Sequence, residues 1–151
     1  MQRWIVAAGV LLVLIVGASA FAYRSYQQNR ATQVWLPISI KPDQPAERLA
    51  STVLKLKQGL SAHALLVQVS KDVGLARKMH LPTDAAAADA LEERLFVEIG
   101  TADSPLGKVP SLNVGLHCKV KEFHVMSEVV NRLRKDIFSL LGVAEPRKTG
   151  P

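Results

Sequence analysis

Hydrophobic positions fall into three regimes along the chain: one unbroken run, several stripes of helical period, and two segments that alternate. The run is Trp4 to Tyr23, WIVAAGVLLVLIVGASAFAY, twenty residues without a charge. Coiled as an α-helix it would measure about 30 Å, the hydrocarbon thickness of a bilayer. Trp4 and Tyr23 stand at its two ends, where aromatic rings suit the membrane interfaces. The pattern predicts a retained N-terminal anchor over 1–23 that binds the lipid bilayer through Trp4 to Tyr23. The same residues also satisfy a cleaved signal peptide, with Arg3 as the charged start, Ile5 to Val16 as the apolar centre and Ala18-Ser19-Ala20 as the cleavage site. A helix buried in the chain's own core is the third reading.

Tyr23 to Gln33, YRSYQQNRATQ, holds too few apolar residues for a core and reads as a juxtamembrane linker over 24–34, or as a further turn of the same helix. Trp35-Leu36-Pro37-Ile38-Ser39-Ile40 alternates as a short strand does. Pro37 has no N–H for the ladder and restricts that strand to a sheet edge or a strand start. The cluster Lys41-Pro42-Asp43-Gln44-Pro45 ends it. From Ala46 to Leu60, the residues Leu49, Val53, Leu56 and Leu60 recur at helical steps; Gly59 weakens the end, and Ser61 is placed to cap the next helix. That helix carries Leu65, Leu66, Val69 and Val73 and breaks at Gly74, with Leu75, Ala76 and Met79 continuing the apolar surface. Leu81-Pro82-Thr83-Asp84 stops it and caps a third helix, whose buried side is Ala85 to Ala88, Leu91 and Leu95.

At Leu95 the period switches to two, with Leu95, Val97 and Ile99 on one face. A turn-rich stretch from Ala102 to Pro110 leads to the clearest strand, with Leu112, Val114, Leu116, Cys118 and Val120 inward and Asn113, Gly115, His117, Lys119 and Lys121 outward. Ser127 is placed to cap a last helix, whose stripe Val129, Val130, Leu133, Ile137, Leu140 and Leu141 ends at Gly142; residues 144–151 read as a disordered tail. The order after the transmembrane helix is β-α-α-α-β-β-α. It predicts an α+β domain over 35–143, a small antiparallel sheet with helices packed on one face.

Composition narrows the class without naming a chemistry. The 151 residues are 48% hydrophobic and carry a net charge of +6, which excludes intrinsic disorder, and the single cysteine, Cys118, excludes an internal disulfide. Charge does not settle orientation. Arg3 precedes the apolar run and Arg24 and Arg30 follow it, so the positive-inside rule shows almost no preference, or a slight one for a cytoplasmic C-terminal part. A very short N-terminal tail before a long domain has the form of a signal anchor, so the domain is expected to be extracytoplasmic, or periplasmic, on a single-pass inner or plasma membrane protein.

Nucleotide-binding glycine loops, nucleophile elbows and His-Glu-x-x-His are absent from the sequence, and no catalytic, cofactor or metal residue is expected. His63, His80, His117 and His124 fall on different elements. His117 and Cys118 are strand neighbours and point to opposite faces. Glu92 and Glu93 diverge by about 100° on a helix and do not converge on a reacting atom. What remains is charge asymmetry. Six acids and one base between Thr83 and Asp103 leave that segment near −5, while Arg132, Arg134 and Lys135 on the last helix, with Lys119 and Lys121 on the strand before it, read as a cationic face suited to anionic lipid headgroups or an acidic polymer. Asp89, Glu92, Glu93, Arg132, Arg134 and Lys135 are therefore the interaction candidates, beside the plainer reading of hydrated surface. Aromatic interleaving is missing from the basic residues, so no nucleic-acid partner is expected.

The single anchor, the short strand, Ser61-x-x-x-Leu65-Leu66-x-x-Val69-x-x-x-Val73-Gly74-Leu75, and the helix with Leu91 and Leu95 leading into Phe96-Val97 resemble the N-terminal membrane-proximal domain of bacterial polysaccharide co-polymerases, the chain-length determinants. The similarity spans about Trp4 to Ile99. The long helical protrusion and second transmembrane helix of that family have no counterpart here. The resemblance implies a membrane-anchored, non-enzymatic domain in assembly or regulation of a cell-envelope or polysaccharide export or biosynthesis complex, with a homo-oligomer or other membrane proteins as partners. The alternative is an anchored or secreted binding module for an acidic ligand or an anionic lipid surface.

Overall fold

The computed structural model describes residues 2–40, 45–104 and 107–143, with the side chains of 2–13, 15 and 104 outside the description. One helix, α1 (Gln2–Gln28), runs through the apolar stretch and beyond it. The polar segment after Tyr23 does not form a linker over 24–34. Residues up to Gln28 continue α1, Asn29 and Arg30 turn, and strand β1 (Ala31–Ser39) starts at once. Local hydrogen bonding explains the short reversal: the Asn29 backbone amide and its side-chain amide both donate to the Ser25 carbonyl, at 3.1 and 2.9 Å, closing the last turn without a spacer. Among the described residues no helix is long and apolar enough to cross a membrane. Most side chains of the expected anchor, and the expected tail 144–151, lie outside the described residues.

The remaining elements are α2 (Ala46–Leu60), α3 (His63–Val73), a one-turn α4 (Leu75–Lys78), α5 (Asp84–Arg94), β2 (Leu95–Ser104), β3 (Gly107–Lys119), a 3-10 turn over Val120–Glu122 and α6 (Phe123–Leu141). The three strands form one antiparallel sheet in the order β1-β3-β2. Pro37 thus lies on an edge strand, where a missing N–H costs the ladder least. Period two separates the faces. Val34, Leu95, Val97, Leu112, Val114, Leu116 and Cys118 are buried and enter the core with Leu56, Leu60, Leu66, Val69, Ala87, Ala88 and Leu91 and with Met126, Val129, Val130, Leu133 and Ile137 of α6. Helices cover that one face: α6 lies against β1 and β3, α2 against β2 and α6, and α3 bridges α5 and α6.

Several local expectations are corrected. Ser61 does not cap α3; it closes α2, its amide donating to the Lys57 carbonyl at 2.9 Å, and the extended residue before α3 is Ala62. Thr83 does cap α5, accepting from the Ala86 amide at 3.1 Å, and Gly74 and Gly142 end their helices with φ of +66° and +65°, a region glycine enters without strain. The last helix starts at Phe123, not at Ser127, because β3 passes straight into the 3-10 turn, where the Glu122 carboxylate accepts from the Lys119 amide at 3.2 Å. That turn takes Val120 off the inner face, and it is 47% exposed. The supposed turn from Ala102 to Pro110 is mostly paired strand, Thr101 opposite Pro110 and Asp103 opposite Lys108, so the hairpin reverses between Ser104 and Gly107. Ile99 and Leu140 keep their predicted faces and border α2, but are only partly covered, 54% and 48% exposed. Ala87 and Ala88 are buried while Ala85 is not. Gly59, inside α2, is where α6 comes close: a Cβ there would lie 2.9 Å from Leu140 Cδ1.

Candidate interaction surface

The predicted charged residues do not assemble into two free faces. Asp89, Glu92 and Glu93 are exposed on α5, and Asp89 is met by His63 Nδ1 at 3.5 Å. On α6 the arrangement differs. Arg132 Nε donates to Asp72 of α3 at 2.6 Å and its Nη1 to Asp136 at 2.7 Å, so its charge is spent within the domain. That pairing holds the Asp72 carboxyl below the usual carboxylate range, with the Arg132 hydrogen bond the largest cause, and raises Arg132 in turn. Arg134 is half-buried with its guanidinium 5.8 Å from the centre of the Phe138 ring. Lys135 is exposed. Spacing on one helix made three cations look alike; α3, which brings Asp72, separates them.

Other pairs tie elements together, and sequence spacing did not reveal them. Arg94 at the end of α5 donates to Glu122 at 2.9 Å, both side chains mostly covered. Lys78 reaches Glu128, which also faces His124 at 3.5 Å, and the Glu128 carboxyl is held low chiefly by the Lys78 hydrogen bond. Inside, the Ser70 hydroxyl donates to Asp84 at 3.1 Å and joins α3 to the start of α5. Cys118 is buried as expected; burial first, and the Glu122 carboxylate second, push its thiol pKa up, away from the thiolate that a nucleophile requires. Among the described residues no three His, Cys, Asp or Glu could hold a metal ion together.

Two further parts of the sheet bear on contact, the first with Trp35 exposed beside buried Phe96 and Gly115. On the face away from the helices, Trp35, Gly115 and Phe96 lie in one cross-strand row, and His117 stacks at 4.7 Å on Phe96 and stands 3.2 Å from the Gln33 amide nitrogen. Gly115 is required there. A Cβ would lie 2.2 Å from the Val34 carbonyl oxygen and 2.7 Å from Trp35 Cα. The second is the outer edge of β2. Ile99 and Leu54 of α2, 54% and 57% exposed, border a shallow depression with Ala50, Val53, Lys57 and Glu98. The two edges differ in protection: β1 carries Pro37 in mid-strand, whereas β2, ten residues long, has neither Pro nor Lys.

No family model matches the chain, and no curated protein or solved structure matches it either.

Proposed function

We propose that the chain is a membrane-anchored, non-enzymatic domain that works by contact, on the extracytoplasmic side, in assembly or regulation of a cell-envelope or polysaccharide export or biosynthesis complex. The observation that carries the reading is the uncharged run Trp4 to Tyr23 within a single helix, α1, that turns through two residues into the sheet. A helix of that composition is stable in hydrocarbon because its backbone groups are satisfied internally. The resemblance of its apolar spacings to polysaccharide co-polymerases supports the class of complex.

The contact assigned to assembly is the outer edge of β2, and the occupant is a second copy of this chain. An antiparallel two-fold pairing that keeps both core faces on one side must centre on a residue. Centring on Glu98 sets like charges opposite one another, which is destabilising. Centring on Ile99 sets Ile99 against its counterpart beside Leu54, with Glu98 opposite Gly100.

Alkaline carbonate washing of native membranes tests the anchor. The parent chain stays in the pellet with its original N-terminus. Leu12→Arg, which costs about 2.5–3.5 kcal/mol of insertion on translocon scales, moves it to the supernatant. A soluble mature form beginning at Phe21 would overturn the anchor in favour of cleavage.

A further inference from the structure

The sheet end at which α1 enters collects charges that are remote in sequence. Ala31, the first residue of β1, lies opposite Lys119, the last of β3, and the Val120 amide donates to the Arg30 carbonyl at 3.0 Å. Arg24, Arg30 and Val120 border one crevice there, and Lys119 and Lys121 flank Val120 in the chain. All four cations are exposed. Two apolar side chains stand among them without cover, Val120 at 47% and Phe123 at 48% exposed. The acid in this group is turned inward: Glu122 is engaged by Arg94 at 2.9 Å and by the Lys119 amide at 3.2 Å. Glu92 and Glu93, the exposed acids of α5, lie toward the same end of the sheet, just before Arg94 and Leu95, on the β2 side of β3 and not the α1 side.

We infer that this end of the domain, Arg24, Arg30, Lys119 and Lys121 around Val120 and Phe123, docks on the anionic lipid headgroups of the membrane that holds α1. The inference rests on the anchor reading and adds to it the surface that the domain turns toward the bilayer. With Tyr23 at the interface, α1 extends five residues beyond it, about 8 Å. That is about one Debye length at physiological salt, so the headgroup potential still reaches these cations, weakened by salt. Exposed Val120 and Phe123 enter the headgroup region as apolar side chains flanked by bases do on interfacial helices. The four exposed cations from α1, β3 and the 3-10 turn, with Glu122 engaged internally, outnumber the two exposed acids at this end, Glu92 and Glu93, and are complementary to a negative surface. At the opposite end of the sheet, Lys108 lies opposite Asp103.

The test uses the full chain with Phe123→Cys carrying a polarity-sensitive bimane. It is reconstituted into phosphatidylcholine vesicles and into vesicles of three parts phosphatidylcholine to one of phosphatidylglycerol. Buried Cys118 is shielded from the label. In the anionic vesicles the emission is expected to shift to the blue and resist aqueous iodide, and high salt or Lys119→Gln/Lys121→Gln removes both effects. Lys55→Gln/Lys108→Gln, the same charge change at the other end, leaves them in place. Equal emission in the two lipids, or equal loss with the distant pair, overturns the inference while leaving the anchor standing. A chain that fails to float with pure phosphatidylcholine vesicles overturns the anchor itself, and the docking with it.

Discussion

Arg132 stands between two carboxylates, 2.6 Å from Asp72 and 2.7 Å from Asp136, with its side chain 30% exposed. Exposed ion pairs contribute little, but two carboxylates on one guanidinium, a third of it accessible, form a small network that joins α3 to α6. The effect is read most directly in acid. The Arg132 hydrogen bond, helped by one from Gln68, holds the folded Asp72 carboxyl below its unfolded value. Such a group contributes its stability in full above the unfolded value and loses it as pH falls through the folded one. Asp72→Asn is therefore less stable than the parent at pH 7, and the difference shrinks below about pH 4, where the unfolded carboxyl takes up its proton. Urea unfolding of both proteins at pH 7 and pH 3 checks this; a difference that stays constant with pH would remove the ion pair as its source.

Among the elements, α6 carries most of the contact between layers. Met126, Val129, Leu133 and Ile137 are at most 1% exposed and face a sheet surface that includes Val114 and Leu116. The two exposed ends of the helix, Phe123 and Leu140, lie beyond the sheet's cover. Leu133 is central, so Leu133→Ala leaves a cavity between two layers that cannot both close, at a cost of about 2–5 kcal/mol. Denaturant unfolding of the full chain in mild detergent should show the midpoint fall with the slope unchanged. An unchanged midpoint would mean that the stripe does not pack where the sheet and α3 place it.

For the whole molecule, the proposed contact with a second copy makes its own prediction. Of the charged residues, Arg132 is already bound to Asp72 and Asp136, which leaves Lys135 exposed on α6 and Asp89, Glu92 and Glu93 exposed on α5. The unprotected edge of β2, with Ile99 and Leu54, offers main-chain groups and apolar area together. Ile99→Asp sets two carboxylates opposite each other in the Ile99-centred pairing. The expected outcome in mild detergent is loss of the dimer on size exclusion, with unfolding of the monomer within about 0.5 kcal/mol of the parent because the site is exposed. A dimer that survives the substitution would exclude β2 pairing.

Element types and their order were legible because they depend on local period. Leu49, Val53, Leu56 and Leu60 place a helix over Ala46–Leu60 to the residue, and the alternation from Leu112 to Cys118 sorts the faces of β3. Backbone punctuation was legible too, at Gly74, Thr83, Gly142 and Pro37, since each acts through its own φ, hydroxyl or missing N–H. Where elements begin was less so: the starts of β1 and α6 depend on bonds to residues that only the fold brings near, such as the Val120 amide on the Arg30 carbonyl. Charged surface was the least legible. Helical spacing shows that Arg132, Arg134 and Lys135 share a basic helix, but whether a cation is free depends on what stands across from it. Asp72 lies sixty residues from Arg132, and Arg24, Arg30, Lys119 and Lys121 meet only because β1 and β3 run antiparallel. Period and turn chemistry are properties of neighbours in the chain, which a sequence displays; charge pairing and exposure belong to neighbours in space, which the packing of the helices on one sheet decided.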